Sequence, residues 1–110
     1  IQELPIYKDR TVEIANLKSL NETVTVEGTV ATSPIIKEVE TSKREKVKLA
    51  TFELADETGR IEVALWRELA DLAENLSMNE RIRIRRIYVK QGPSGRLRLS
   101  SGSLTSLTKL

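Results

Sequence analysis

Residues 23–30 (TVTVEGTV) alternate apolar and polar side chains with a period of two, and the same pattern returns at 48–55, 60–66, 81–90 and 96–101. That period belongs to a half-buried β-strand, because successive side chains leave opposite faces of the sheet. Five such runs in a chain of 110 residues make a small all-β fold. One segment breaks the pattern. Leu69, Leu72, Ala73 and Leu76 recur at helical spacing, which predicts a helix of about three turns with its apolar stripe against the sheet.

Details within the runs add to this expectation. Gly28 marks a bulge or sharp coil in the first strand. Ser33-Pro34 bends the chain, and residues 35–39 continue the strand beyond the bend. Residues 40–46 are polar throughout and are expected as an exposed loop. Asp56-Glu57-Thr58-Gly59 is a hairpin turn in which the glycine is expected to supply a positive φ. Phe52 and Leu54 face the core from the second strand. In the third, Ile61, Val63 and Leu65 face inward, which turns Arg60, Glu62, Ala64 and Trp66 outward. In the fourth strand, Ile82 and Ile84 keep step with Ile87 and Val89 only if Arg85-Arg86 forms a bulge. Residues 91–95 form a turn, and Leu97 and Leu99 point inward from the fifth strand. Upstream, Ile14, Leu17 and Leu20 are expected to seal one end of the core.

Three strands, one helix and two strands is the element order of the OB-fold, a five-stranded Greek-key barrel with one helix between strands 3 and 4. The length fits a single domain, with a lead-in over residues 1–21 and the barrel core over 23–103. The first residue is not Met, and the expectation is a domain excised from a longer protein. No run approaches the ~18 apolar residues of a membrane span, and residues 1–10 lack the basic-then-apolar order of a signal peptide. A cytoplasmic, nucleoid-associated location is therefore expected. Cys and His are both absent, which removes disulfides, thiolate chemistry, the commonest general base and the commonest metal ligand. Asp56 and Glu57 are neighbouring carboxylates in a turn, free to splay apart, and so poor ligands for an ion. Gly92, Gly95 and Gly102 lack the Gly-Lys-Ser/Thr ending of a phosphate-binding loop. No enzymatic activity, cofactor or metal is expected.

The net charge of +2 conceals a segregation. Residues 1–80 hold all 16 acidic side chains, whereas residues 81–110 hold eight basic side chains and no acid. Such a field suits a polyanion, and the alternative is a solvated basic strand. An OB-fold binds oligonucleotides on strands 2 and 3 and the loops joining strands 1–2 and 4–5. Lys43, Arg44, Lys46 and Lys48 lie in and after the first loop, and Lys90, Arg96 and Arg98 flank the second. They are expected to converge into one positive channel. Trp66 and Arg60 share the outward face of the third strand. A base stacked on Trp66 is worth about 1–3 kcal/mol with little sequence preference; the alternative is that Trp66 packs over the following helix. Tyr88 shares the outward register with Lys90, while Tyr7 carries no signal.

The residues Val24-x-Val26-x-Gly28-x-Val30, then Phe52-x-Leu54-x-Asp56-x-Thr58-Gly59-x-Ile61, then Leu65-Trp66, resemble the OB domains of replication protein A, the archaeal forms above all. The resemblance spans roughly residues 11–108, and its densest piece, LADETGRIEVALW, is moderately specific. It implies that Trp66 matches the aromatic that ends strand three and stacks on a nucleobase. A second stacking aromatic usually lies in or near the loop between strands 4 and 5. Here residues 90–95 (KQGPSG) hold none, and Tyr88 is the nearest candidate.

The expected function is a single-stranded DNA-binding module of replication, repair or recombination, acting with other OB domains. Two alternatives stand beside it: a protein-interaction module in a replication assembly, and an RNA- or tRNA-binding OB domain. No membrane partner is expected.

Overall fold

The computed structural model describes residues 11–17, 20–92 and 94–110. Tyr7, the first ten residues of the lead-in and Pro93 of the expected turn lie outside the described residues. A single 3-10 turn (Ile14–Asn16) precedes β1 (Thr23–Val30), β2 (Ile35–Glu40), β3 (Lys46–Asp56) and β4 (Gly59–Trp66). The helix α1 (Glu68–Ala73) is followed by β5 (Arg81–Gln91), β6 (Leu97–Ser100) and β7 (Ser106–Lys109). Strands β1, β3, β4, β6 and β5 pair in that order and β5 returns to β1, so the ring closes. The β4–β6 pair is parallel, the result of the crossover through α1, and the rest of the ring is antiparallel. This is the OB-fold, with β2 extending the first strand beside β3 and β7 added on β5. Among the described residues no helix is long and apolar enough to cross a membrane.

Alternation fills the barrel. Val26, Val30, Phe52, Leu54, Val63, Leu65, Ile82, Ile84, Ile87, Val89 and Leu99 are buried inside it, each contributing about 1.5–3 kcal/mol of burial. Ile14 and Leu17 plug the end beside the β3–β4 turn, but Leu20 does not join them and is 49% exposed. The other end is closed by α1, which is shorter than three turns. Its buried stripe runs through Ala70 and Ala73 to Leu76, while Leu72 is 46% exposed. Small alanines let the helix lie close to the barrel; of the expected stripe, Ala73 and Leu76 are buried and Leu69 packs against the core, and Leu72 is the member that faces out. The strand β7 was not expected. It pairs with the first half of β5 and sets Leu107 against the core.

The expected bulge is present in β5. Val24 pairs with Ile87 and Val26 with Ile84, so Arg85 and Arg86 together oppose Thr25, and Arg86 adopts φ 57°. All four isoleucine and valine side chains of β5 thereby reach the core.

Gly28 serves a different purpose. At its end β1 hands its pairing from β5 to β3, and Thr29 is aligned with both Arg81 and Ala55. A Cβ on Gly28 would stand 2.5 Å from the Ala55 carbonyl oxygen and 3.0 Å from Leu54 Cγ. Close approach of two backbones requires glycine here.

The β3–β4 turn corrects the expectation for Gly59, whose φ is not positive; nor is that of Glu57 or Thr58. A carboxylate holds the turn instead. Asp56 Oδ1 accepts hydrogen bonds from the Thr58 N–H at 2.7 Å, the Thr58 hydroxyl at 2.6 Å and the Gly59 N–H at 3.1 Å. Its Oδ2 accepts from the Ile14 N–H at 2.9 Å, which ties the apolar plug to the turn. Partial burial alone would raise the Asp56 carboxyl, but these four donors outweigh it and hold the group below its ordinary value of 3.8.

Two predictions follow from these contacts. Gly28→Ala is expected to destabilise by about 2–3 kcal/mol through overpacking, whereas Gly59→Ala, 3.8 Å from its nearest neighbour, is expected to be neutral or to stabilise by about 0.5 kcal/mol. Urea denaturation of the two variants distinguishes them, and equal effects would contradict the stated role of Gly28. Asp56→Ala is expected to destabilise by about 1 kcal/mol near neutral pH, discounted for partial solvent screening. Because the folded carboxyl titrates below the unfolded one, its contribution is complete above the unfolded value and fades as pH falls through the folded value. The gap between wild type and variant should therefore narrow on acidification below about pH 4.

Candidate functional site

Register sorts the outward side chains into rows across the barrel. Tyr88, Ser100, Ala64 and Thr51 form one row over β5, β6, β4 and β3, with Ile35 of β2 at its end. The next row, toward the β3–β4 turn, is Lys90, Arg98, Glu62 and Glu53. On the other side, Trp66 aligns with Leu49 and Lys37. These rows make one continuous face.

Trp66 is half-buried, and its position is fixed from three directions. Its N–H donates to the Ser101 hydroxyl at 2.9 Å, and its indole Nε1–H donates to the Ser100 hydroxyl at 3.0 Å. Leu49, its cross-strand neighbour, is buried on the same side of the sheet. The next residue, Arg67, has φ 60° and ψ −124° and turns the chain sharply into α1, a sparsely populated conformation for a residue with a Cβ. The indole lines an open groove with Thr41, Val47, Leu69 and residues 101–103. It therefore borders this groove together with the start of the helix.

Tyr88 lies on the far side of Ser100 from Trp66. Its ring rests on Gly102, where a Cβ would collide with the ring edge. The turn at Gly102 is held by the buried Thr105 hydroxyl, which accepts from the Gly102 N–H and donates to the Arg86 carbonyl. Lys90 Nζ sits 5.4 Å from the Tyr88 ring centroid and donates to Asn21 Oδ1 at 2.7 Å.

The basic residues do not form one channel. Lys43, Arg44 and Lys46 stand at the hairpin joining β2 to β3, near the Trp66 end. Arg96 stands by the β5–β6 loop at the opposite end, where a second groove is lined by Ile35, Thr51, Glu53, Arg60, Glu62 and Arg98. Lys48 belongs to neither. It shares the parity of Ala50 and Phe52, and its ammonium reaches α1, 2.7 Å from Asp71 and 3.5 Å from Glu74. The hydrogen bond and charge of Asp71, with Glu74 adding to them, raise the Lys48 pKa.

Within this second groove the charges alternate. Arg60 contacts Glu53 at 3.1 Å, and Arg98 Nε lies 3.5 Å from Glu62 Oε1 without hydrogen-bond geometry. Arg83 and Arg81 face away, both pairing with Glu27 on the other side of the barrel, whereas Arg67 lines the Trp66 groove and contacts Glu45 at 3.1 Å. Sequence reasoning placed Glu62 outward but missed the two serines, Ile35 and Glu53 as members of this face. Ser100 and Glu62 were readable as outward by parity, but their meeting with Trp66 and Arg98 depends on the parallel β4–β6 register.

The family described as an OB-fold nucleic acid binding domain matches residues 24–107. Comparison with curated proteins finds no match. Among solved structures, the second OB-fold domain of replication protein A from Methanococcus maripaludis superposes with a TM-score of 0.77 and 29% identity, over 92% of this chain and 95% of that one. A replication factor A related protein from Methanobacterium thermoautotrophicum gives 0.77 and 24%, over 96% of each chain. A replication protein A heterotrimer bound to ssDNA shares the fold at 0.74 and 17%, over 90% of this chain and 24% of that one. With its barrel, its outward face and this match in agreement, the chain belongs to the OB-fold nucleic acid binding domain family and is similar to archaeal replication protein A domains.

Proposed function

We propose that this domain binds single-stranded DNA, largely independently of sequence, as a non-catalytic module of replication, repair or recombination. The observation that carries the reading is Trp66, an indole bordering an open groove on the outward β3–β4–β6 face, its ring N–H held by the Ser100 hydroxyl and its backbone N–H by the Ser101 hydroxyl. A fixed ring loses little freedom when a base stacks on it. The similarity to archaeal replication protein A domains supports DNA as the ligand. Tyr88 and Lys90 border the neighbouring row, and Lys43, Arg44 and Lys46 at one end, with Arg60, Arg96 and Arg98 at the other, supply phosphate contacts. Other OB domains are the partners expected to share a strand with it.

One observation favours a protein-interaction role as the second reading. Glu53 and Glu62 neutralise Arg60 and Arg98 in the groove opposite the Trp66 end, so a polyanion finds less positive potential there than the sequence suggests.

Trp66 is the only tryptophan, so its fluorescence reports on the site directly. Titration with oligo(dT) at low salt is expected to quench it, with a log–log salt slope of about −2 to −3 because few cations remain to meet phosphates. Duplex DNA should quench feebly. Trp66→Ala should weaken binding about tenfold, as measured by anisotropy of a labelled oligomer, Arg96→Ala should weaken it by less, and Lys48→Ala should leave it unchanged. Absence of quenching in the folded protein at low salt would remove the stacking role and leave the protein-interaction reading.

A further inference from the structure

Glu53 and Glu62 stand directly opposite each other on β3 and β4. Like charges in that arrangement disfavour the sheet, so folding gains nothing from the juxtaposition. Each has a different surrounding. Glu53 accepts a hydrogen bond from Arg60, whereas Glu62 accepts none among the described residues and its side chain is 49% exposed. Arg98 lies against it in charge contact, its side chain mostly covered at 22% exposure. The groove over this pair is bordered by Ile35, 65% exposed, and by Thr51, Arg96 and Leu97. An apolar side chain, a hydrogen-bond acceptor and a flanking cation thus share one groove at the opposite end of the face from Trp66.

A carboxylate accepts hydrogen bonds and donates none. It repels phosphates, so a strand crossing this row presents bases to Glu62 and keeps its backbone toward Arg96 and Lys90. Bases differ in what their exposed edge offers. Guanine presents adjacent N1–H and N2–H donors, which the two oxygens of one carboxylate can accept together. Thymine presents a single N3–H between two carbonyl oxygens that a carboxylate repels. Cytosine and adenine offer one amino group beside an acceptor.

Resting on the single-stranded DNA reading, we infer that Glu62 is a specificity-determining residue that favours guanine over thymine at the nucleotide lying in the Ile35–Arg98 groove. The Trp66 end accepts any base through stacking, so the domain is tolerant along most of its site and selective at one position. Arg98 orients the Glu62 carboxylate from the side and contacts the adjacent phosphate.

The test compares binding of an oligo(dT) of about ten nucleotides with single-substitution versions carrying one dG, dC or dA at each position in turn. For the wild-type domain at low salt, dG at one position is expected to tighten binding about tenfold relative to dT, with dC and dA in between. In Glu62→Gln the guanine advantage should fall to about twofold, because the amide keeps one acceptor only. The same variant should bind oligo(dT) as well as wild type or better, having lost a negative charge. Trp66→Ala should weaken binding to every oligomer and leave the dG-to-dT ratio unchanged. If no oligomer binds, the single-stranded DNA reading fails. If oligomers bind with equal affinity at every position, or the guanine preference stays at its wild-type size in Glu62→Gln, that reading stands and the role given to Glu62 is overturned.

Discussion

Thr29 is aligned with strands on both sides at once, Arg81 of β5 and Ala55 of β3, and this double engagement of β1 is what makes the sheet a barrel. Hydrogen bonds that begin against β5 must finish against β3 within one short strand. The backbones approach so closely at Gly28 that no side chain fits beside the Ala55 carbonyl. Closure then dictates the remainder. It buries one face of every ring strand, leaves the two barrel ends to be sealed by the Ile14 turn and α1, and curves β3, β4 and β6 so that their other faces become one surface. The position of Trp66 is a distant result of the β1 exchange.

A second constraint sets how the face is furnished at its β5 edge. The Arg85-Arg86 bulge restores the inward parity of Ile87 and Val89 after Ile84. Tyr88 and Lys90 are outward for that reason alone. Without the extra residue they would point into the core, and Ile87 and Val89 would face solvent. The Gly102 turn then gives the Tyr88 ring a seat, because a glycine leaves space that any side chain would fill. Packing and site are here the same set of contacts.

Strand parity is a local property, and what rested on it was legible in the sequence. The inward Ile61, Val63 and Leu65, the outward Trp66 and the bulge in β5 all followed from counting by two. The helix was less legible because alanine carries a weak apolar signal: the expected stripe holds the buried Ala73 and Leu76 but omits the buried Ala70 and includes the exposed Leu72. Gly59 misled because a glycine in a tight turn suggests positive φ, whereas the Asp56 carboxylate holds this turn by accepting three hydrogen bonds within it. Lys48 was grouped with Lys46 by proximity, yet its parity is that of Ala50 and Phe52, which directs it to α1 and its acids. What parity cannot supply is which outward residues meet. The Arg98–Glu62 contact comes from β6 lying parallel beside β4, and no pattern within either strand contains that register.

The alternating charges in the groove beside Arg96 bear more on ligand than on fold. Exposed pairs such as Arg60–Glu53 add little stability, since solvent screens the attraction and two long side chains lose freedom. Their effect on a polyanion is larger, because each glutamate cancels a cation that would otherwise meet a phosphate. The positive potential that survives lies at the two ends, at the β2–β3 hairpin and at Arg96. On the proposed reading a strand is held electrostatically at its ends, and between them it touches the protein through its bases. Such a site gives up the high affinity of a continuous basic channel and gains sensitivity to what the bases present. Its modest affinity as a single domain becomes useful when modules are linked. A neighbour already on the strand raises the local concentration of DNA at this face, and brief release of one module then leaves the complex intact.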